Sequence, residues 1–347
     1  MGYRTYSDSD LLARKRAITD SGLATFARTA AINAGLEERK CHEKLSVAED
    51  FRRNRECNDS EAHPESNALS MWFDVTGSMG EVPKELEVYL KDLMGYFLKS
   101  NYLPDVAVMF SAVGDSTCDR VPLQVGQFEP GAQELMNFFE RVYLEGGGGG
   151  QKTESYQNAL YYMARHTRVD CWDKRKKKGY VIIFGDELPY EEVSAREIKV
   201  LMGGFGPSED IPLKQIVKEV KERYVVLFII PLGTSHGKDP AIWRRWRQLL
   251  GEEYVLGLEK VSQVCELVGN VVGICEGKIS PQGASDNLRN KGVGEEYLRI
   301  AQEAFTKLYG INKDVSRKVK AAKNAIAASG TAVEDKSKKK PGKGLKI

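Results

Sequence analysis

Short apolar runs alternate with amphipathic runs between Leu69 and Cys275. Nearly continuous apolar strands separated by helices with one apolar face are typical of a mostly parallel sheet covered on both sides. The pattern predicts an open, doubly wound, Rossmann-like α/β domain over residues 68–277. The apolar runs that carry the prediction are LSMWFDV (69–75), DVAVMFSAV (105–113), YVIIFGDE (180–187) and VVLFIIPLG (225–233).

The segments on either side of this domain have other patterns. Residues 1–67 place apolar residues at helical spacing among many charges and end in a polar stretch, which predicts a helical extension and a linker. Residues 278–330 contain two apolar repeats, one at 298–308 and one at 315–326, which predict two helices that either dock on the α/β domain or mediate oligomerisation. Residues 331–347 are rich in lysine and predict a disordered tail.

Composition narrows the class of protein only slightly. The chain has 347 residues, and its 51 basic and 49 acidic side chains leave a net charge of +2, which points to no particular partner. No apolar run reaches the length of a membrane span, and the first residues do not resemble a secretory signal. We therefore expect a cytoplasmic protein without a membrane partner.

Whether the neighbouring Cys41, His42, Cys57 and His63 bind zinc stays open, because their spacing matches no common zinc motif.

The glycine run in EGGGGGQKTES (145–155) is similar to a phosphate-binding loop. Such a loop requires a lysine directly after its last glycine and a strand before it, but Gln151 precedes Lys152 and the preceding segment has helical spacing. The context of a P-loop is therefore not met. A P-loop NTPase remains an alternative because VIIFGDE is similar to the acidic strand end that accompanies such loops.

A different set of oxygen-bearing side chains follows the predicted strands. The stretch MWFDVTGSMG places Asp74, Thr76 and Ser78 at the end of an apolar strand. Thr153 follows the glycine run, and Asp186 follows the strand VIIF. The carboxyl ends of parallel strands form the edge where such sheets bind ligands, and carboxylates and hydroxyls are hard ligands that suit Mg²⁺. These five residues predict a single metal site.

At these residues the chain resembles the von Willebrand factor A (vWA) domain and its metal-ion-dependent adhesion site (MIDAS). Asp74, Thr76 and Ser78 match the first motif, with Thr76 in place of the usual serine. Thr153 matches the second motif, and Asp186 matches the third, although Glu187 stands where the family usually has glycine. The resemblance implies that the five residues hold one Mg²⁺ or Mn²⁺ and that an Asp or Glu of a protein partner completes the coordination. Intracellular members often act as adaptors for AAA+ ATPases or other assemblies, and the resemblance extends that expectation here.

The expected function is therefore a metal-dependent protein-protein interaction module, an adaptor or scaffold and not an enzyme. The flexible glycines are expected to form the partner-binding loop beside the ion. Their positions are Gly146, Gly147, Gly148, Gly149 and Gly150.

Two alternatives belong to other classes. A phosphotransferase is conceivable because DVTGS also resembles the phosphorylated-aspartate motif of the haloacid dehalogenase group, but Thr76 and Tyr190 stand where further aspartates would be needed. An RNA-associated scaffold would use the basic run DKRKKKGY (173–180) and the lysine-rich tail. The aromatic run WRRWRQLL does not favour RNA, because Trp243, Trp246 and Leu250 share one helical face that is expected to be buried.

Overall fold

The computed structural model describes residues 26–49, 54–147 and 150–313. The strands are β1 Arg55–Cys57, β2 Asn67–Asp74, β3 Val106–Val113, β4 Leu123–Val125, β5 Thr153–Glu154, β6 Thr167–Val169, β7 Gly179–Phe184, β8 Leu188–Pro189, β9 Glu192–Val193, β10 Ile211–Pro212, β11 Tyr224–Pro231 and β12 Val255–Leu258. The helices are α1 Ala27–Asn33, α2 Val82–Leu90, α3 Leu93–Ser100, α4 Ala132–Arg141, α5 Tyr156–Arg165, α6 Asp170–Asp173, α7 Ala195–Leu201, α8 Leu213–Arg223, α9 Pro240–Leu250, α10 Val264–Cys275, α11 Pro281–Asn290 and α12 at 295–313. Short 3₁₀ turns lie at Gly77–Met79, Glu252–Tyr254 and Val261–Gln263.

The central sheet has six strands in the order β12-β11-β7-β2-β3-β4. Every neighbouring pair is parallel except β3 and β4, which are antiparallel. The short strands β1 and β6, β5 and β8, and β9 and β10 pair separately. This topology confirms the predicted mostly parallel, Rossmann-like α/β sheet. The short antiparallel edge strand β4 is compatible with such folds.

Helices cover both faces of this sheet. Side chains of β2 alternate between them, with Met71 and Phe73 on one face and Trp72 on the other, and all three are buried. One face packs against α2, α3, α4 and α10, and the opposite face packs against α5, α8 and α9. Strands that are buried on both sides have no solvated positions, which explains their continuous apolar sequence.

The order of the strands reverses beside β2. The chain passes from β2 to β3 on one side and returns to β7 on the other. Phe73 pairs with Phe184, so β2 and β7 end at the same level of the sheet. Open α/β sheets bind ligands at the carboxyl ends of the strands where the order reverses. The fold therefore places the residues after Asp74 and Phe184 at such a position.

The first C-terminal repeat docks on the α/β domain. Leu298, Ala301, Phe305 and Leu308 are buried and belong to the core of the face that contains α10. Of the two expectations for this repeat, the structure therefore shows α12 docked on the α/β domain. The second repeat at 315–326, the lysine-rich tail and the first 25 residues lie outside the described residues.

The basic run before β7 is largely engaged in contacts within the protein. Arg175 donates to Asp59 Oδ2 at 2.7 Å and to the Ser66 carbonyl at 2.6 Å. Lys174 Nζ lies 3.3 Å from Asp59 Oδ2, and Lys177 forms an ion pair with Glu276. These bonds attach the segment that follows β1 to the end of α6. Three of the five basic residues in this run therefore form ion pairs within the protein.

Asp59 makes this attachment pH dependent. Although burial opposes it, hydrogen bonds from Arg175, Ser66 and Lys174 lower the pKa of Asp59 to about 2. A carboxylate with a lowered pKa stabilises the fold above its unfolded pKa near 4, and the contribution is lost as pH falls toward 2. We expect Asp59→Asn to cost about 1–2 kcal/mol of unfolding free energy at pH 7, and the difference from the native chain to shrink between pH 4 and about 2.

Urea unfolding of both proteins across this pH range measures the effect. Asp286→Asn is a suitable control, since Asp286 is half exposed and bonds Gln282 and Arg289 of its own helix. An Asp59→Asn penalty that does not vary with pH contradicts the assignment of the pKa.

None of the described helices is long and apolar enough to cross a membrane.

The cysteines and histidines considered for zinc make separate contacts. Cys41 Sγ contacts the Leu123 carbonyl at 3.8 Å, whereas His63 Nδ1 lies 2.5 Å from Asp105 Oδ1. Cys57 is buried elsewhere, beside Ser66 and Cys171. These contacts give no support to a shared zinc site.

Candidate metal centre at the carboxyl edge of the sheet

The first predicted motif forms a tight turn after β2. Asp74 is fully buried, and its Oδ1 accepts hydrogen bonds from the Thr76 backbone N–H at 2.9 Å and from Thr76 Oγ1 at 2.5 Å. The chain then enters the 3₁₀ turn Gly77–Met79, which places Ser78 Oγ 3.3 Å from Thr76 Oγ1. Asp side chains commonly organise such turns by bonding the backbone two residues on. The alternating positions therefore point one carboxylate and two hydroxyls to the same place.

The third predicted motif meets this turn. Asp186 follows the end of β7 by two residues and is fully buried. Its Oδ1 accepts a hydrogen bond from Ser78 Oγ at 2.7 Å, and its Oδ2 accepts one from the His236 backbone N–H at 2.9 Å. A continuous chain of polar contacts thus joins Asp74, Thr76, Ser78 and Asp186. Four of the five sequence-predicted ligands come together.

Thr153 lies in the neighbouring strand pair. It begins the two-residue strand β5 and pairs with Leu188, two residues after Asp186. Its side chain is half-buried. Among the described residues, no hydrogen bond joins the Thr153 hydroxyl to the other four predicted ligands. The structure thus places Thr153 at the same edge without a direct contact.

Glu154 and Glu187 are buried beside the predicted ligands. They are 2% and 4% exposed, and Oε2 of each accepts no hydrogen bond from the described residues. The sequence motifs do not place these two glutamates in the site. The available signal was their position directly after Thr153 and Asp186. Burial of a carboxylate oxygen without a hydrogen-bond partner costs free energy of folding.

Tyr156 closes the bottom of the site, and the sequence motifs do not predict it either. Its hydroxyl donates to Asp74 Oδ2, and its side chain is fully buried. The approach requires a glycine in the turn that follows β7, since a Cβ at Gly185 would lie 2.3 Å from the Tyr156 hydroxyl oxygen. Tyr156 thereby fixes the orientation of Asp74.

The electrostatic environment strongly disfavours negative charge. Burial raises the pKa of Asp74, and the charge of Asp186 adds to that effect, although hydrogen bonds from Thr76 and Tyr156 oppose it. Burial likewise raises the pKa of Glu154, and the negative charges of Asp74 and Glu187 raise it further. The pKa of Glu187 is raised by burial and then by Asp74 and Asp186. A site of this kind is stabilised by a bound cation or by protons.

The glycine run contacts the first motif through its backbone. Gly77 N–H donates to the Gly147 carbonyl at 2.6 Å, and Gly146 N–H donates to the Val75 carbonyl at 3.2 Å. A Cβ at Gly77 would lie only 3.0 Å from the Gly147 carbonyl oxygen. Gly146, Gly147 and Gly150 are exposed, whereas Gly148 and Gly149 lie outside the described residues. The described part of the loop therefore lines the open side of the site.

The side chains of the two residues after the glycines bond other parts of the protein and do not form a phosphate-binding arrangement. Gln151 Nε2 donates to Asp115 Oδ2 at 2.7 Å, and Lys152 Nζ donates to Asp239 Oδ2 at 2.9 Å. The element before the loop is helix α4, as the sequence predicts, and not a strand. A P-loop requires both a preceding strand and a lysine directed at the phosphates. These contacts do not favour the P-loop interpretation.

Gly146 and Gly147 offer a matched pair for testing the loop. Gly146 has a φ of 63°, whereas Gly147 has no positive φ and only the Glu145 carbonyl near the position of a Cβ, at 4.0 Å. We expect Gly146→Ala to lower the unfolding free energy by about 1 kcal/mol because alanine is strained at that φ. Gly147→Ala should stay within about 0.5 kcal/mol of the native value. Thermal unfolding of both variants measures this, and equal midpoints contradict the described loop conformation.

The donor set consists of hard oxygens only. Across the described ranges, no three His, Cys, Asp or Glu side chains are grouped as metal ligands. The predicted set differs from such a group because three of its five members are hydroxyls. Its two aspartates and the hydroxyls of Thr76 and Ser78 supply oxygen ligands, which are the type that Mg²⁺ and Mn²⁺ prefer.

Comparisons with known proteins add little to this chemistry. No protein-family model and no curated protein matches the chain. Similar solved structures include the open conformation of the pilus adhesin SpaC from Lactobacillus rhamnosus GG, at 11% identity over 64% of this chain and 31% of that chain, with a TM-score of 0.42. Proximal thread matrix protein 1 (PTMP1) from the mussel byssus is 13% identical over 60% of this chain and 46% of that chain, with a TM-score of 0.40. The chain spans less than half the length of either protein.

Proposed function

We propose that this protein is a vWA-type adaptor that binds a protein partner through a divalent cation. Asp74, Thr76, Ser78, Thr153 and Asp186 would hold Mg²⁺ or Mn²⁺, and an Asp or Glu of the partner would complete the coordination. The observation that carries the proposal is the contact chain from Asp74 through Thr76 and Ser78 to Asp186, which joins the carboxyl ends of two adjacent strands. Hydroxyls and carboxylates in that position are poorly explained by turn formation alone.

The exposure of the site supports binding of a large partner. Asp74 and Asp186 are fully buried, whereas Ser78 is half-buried and Gly77 is exposed. A cation held by the deep aspartates would present its open side toward this rim and the glycine loop. Since the aspartates alone would repel a carboxylate, binding of an Asp or Glu partner should require the cation. An AAA+ ATPase or another multiprotein assembly is the partner class that the vWA resemblance suggests.

The alternative functions receive less support from the contacts. An RNA-associated scaffold would use the basic run before β7, but Lys174, Arg175 and Lys177 are paired with Asp59, Asp170 and Glu276. A P-loop NTPase would need Lys152, which bonds Asp239. A phosphotransferase would need an accessible Asp74, and this carboxylate is fully buried beneath the Thr76 turn. We therefore favour a binding module that is not an enzyme.

The decisive experiment combines direct metal binding with partner capture. Calorimetry with Mg²⁺ and Mn²⁺ first establishes whether the native chain binds a cation. The immobilised chain is then exposed to a lysate with Mg²⁺ or with EDTA, in parallel with an Asp74→Asn, Asp186→Asn bait, and bound proteins are identified by mass spectrometry. A specific partner is expected only on the native bait with Mg²⁺, and replacing one of its Asp or Glu residues should abolish capture. Capture that survives EDTA but declines steadily with salt instead favours the RNA-associated alternative.

A further inference from the structure

A polar cavity lies at the edge of the sheet opposite the proposed metal site. Helix α5 begins at Tyr156, whose hydroxyl bonds Asp74, and ends at Arg165, so its two ends are roughly 15 Å apart. The cavity has a volume of about 700 Å³ and lies at the Arg165 end, between α5, β6 and the end of α8. Its side chains include Tyr161, Arg165, Arg168, Asp173, Phe205 and Arg223. This volume is in the range of cavities that hold small molecules.

The three arginines of this cavity come from separate elements and are engaged to different degrees. Arg165 donates from Nε and Nη2 to the two carboxylate oxygens of Glu219, at 2.8 and 2.9 Å. Arg223 donates from Nη1 to the Thr167 carbonyl at 2.8 Å, and its Nη2 lies 3.8 Å from Asp173 Oδ1. The first guanidinium is therefore neutralised by a carboxylate. The second is fixed in position by the backbone and has only a distant acidic neighbour.

Arg168 contributes a guanidinium that the protein itself does not use. Its side chain is exposed, and among the residues that the structure describes it forms no hydrogen bond and no ion pair. Glu219 and Asp173, the acidic neighbours of the other two arginines, thus leave one positive charge uncompensated. Guanidinium groups bind phosphate through pairs of parallel N–H donors. The cavity therefore favours an anionic ligand with several acceptor oxygens.

Aromatic rings lie beside these charges. The Phe205 side chain lines the cavity and is 50% exposed. The Tyr161 ring lines it too, and its centroid lies 5.5 Å from Cζ of Arg165. Flat aromatic side chains next to arginines are the surfaces on which nucleobases stack in proteins. An exposed ring and an unpaired guanidinium in one cavity match the base and the phosphate of a nucleotide.

We propose that this cavity binds a nucleoside phosphate, with the phosphate groups on Arg168 and Arg223 and the base against Phe205. The inference goes beyond the proposed function, because the described side chains that line the cavity include none of the proposed metal ligands. The arginines supply the positive charge, so binding needs no divalent cation.

Calorimetry with ADP in the presence of EDTA tests the inference. The native chain should bind ADP saturably, and the Asp74→Asn, Asp186→Asn chain should bind it equally well. We expect Arg168→Ala to weaken binding about tenfold, because it removes a charge-assisted hydrogen bond. Phe205→Leu keeps an apolar side chain but removes the flat ring, and should weaken binding at least about fivefold. Arg244→Ala, at an exposed position on α9, is the matched control and should leave the affinity unchanged.

Pyrophosphate and a short adenine oligonucleotide are titrated in parallel. Pyrophosphate that binds as tightly as ADP overturns the assignment of a base, and an oligonucleotide that binds far more tightly indicates a nucleic-acid surface instead. The absence of saturable ADP binding by the native chain, or an unchanged affinity in Arg168→Ala, also overturns the proposal. Because Arg168 is exposed, its replacement should leave the fold intact. A failure here leaves the metal-dependent adaptor function untouched, since the cation is absent from every titration.

Discussion

Replacing both Asp74 and Asp186 with asparagine is expected to abolish divalent-cation binding and the stabilisation that the cation provides. A cation at about 100 times its dissociation constant stabilises the native state by roughly 2.7 kcal/mol, which should raise the melting temperature by about 5–10 °C. The double variant should show no such increase. Calorimetry and thermal unfolding, each with and without Mg²⁺, measure the two effects.

In the absence of metal, we expect the same double substitution to have no destabilising effect. Asp74 and Asp186 are both fully buried, and the charge of Asp186 contributes to the raised pKa of Asp74. Asparagine keeps an acceptor oxygen for Thr76 and for the His236 backbone while it removes the repulsion. The metal-free double variant should therefore be at least as stable as the metal-free native chain. Asp286→Asn serves as the surface control, and unchanged Mg²⁺ affinity in the double variant contradicts the proposed site.

Truncating Trp246 to alanine is expected to cause the largest loss of stability from one substitution. Trp246 is fully buried and stacks on Phe228 with ring centroids 3.7 Å apart. It also contacts the edge of Tyr156 at 5.5 Å and donates from Nε1 to the Glu187 carbonyl at 2.9 Å. Removal of a buried tryptophan side chain costs about 3–5 kcal/mol. Because Tyr156 bonds Asp74, the substitution should also weaken metal binding.

Two further variants separate packing from hydrogen bonding. Trp246→Phe keeps an aromatic ring against Phe228 but loses the bond to Glu187, and should cost about 1–2 kcal/mol. Trp243→Ala removes a half-buried tryptophan from the same helix, whose Nε1 bonds the Gly237 carbonyl, and should cost less than Trp246→Ala. Urea unfolding provides the free energies. A penalty for Trp246→Ala no larger than that for Trp243→Ala contradicts a central role of Trp246 in the core.

The sequence by itself determined the class of fold and the outline of the site. Strands β2, β3, β7 and β11 were recognisable because a strand that is buried on both faces must be apolar at nearly every position. The turn residues Asp74, Thr76 and Ser78 are local in sequence, so their alternation was sufficient to predict that they converge. Asp186 could be added because residues that follow parallel strands share one edge. The burial of Trp246 and Leu298 followed from helical periodicity.

Only the tertiary structure decided the acidic character of the site. Burial of Glu154 and Glu187 opposes their hydration, so no local pattern predicts it, and it arises from the long-range pairing of β5 with β8. The bond from Tyr156 to Asp74 joins residues 82 positions apart, and that from Ser78 to Asp186 joins residues 108 apart. Likewise, the basic run before β7 resembles a solvated segment until the fold places Asp59 beside Arg175. Periodicity reports which face of an element is buried, but the partners of a buried polar group are chosen by contacts between distant segments.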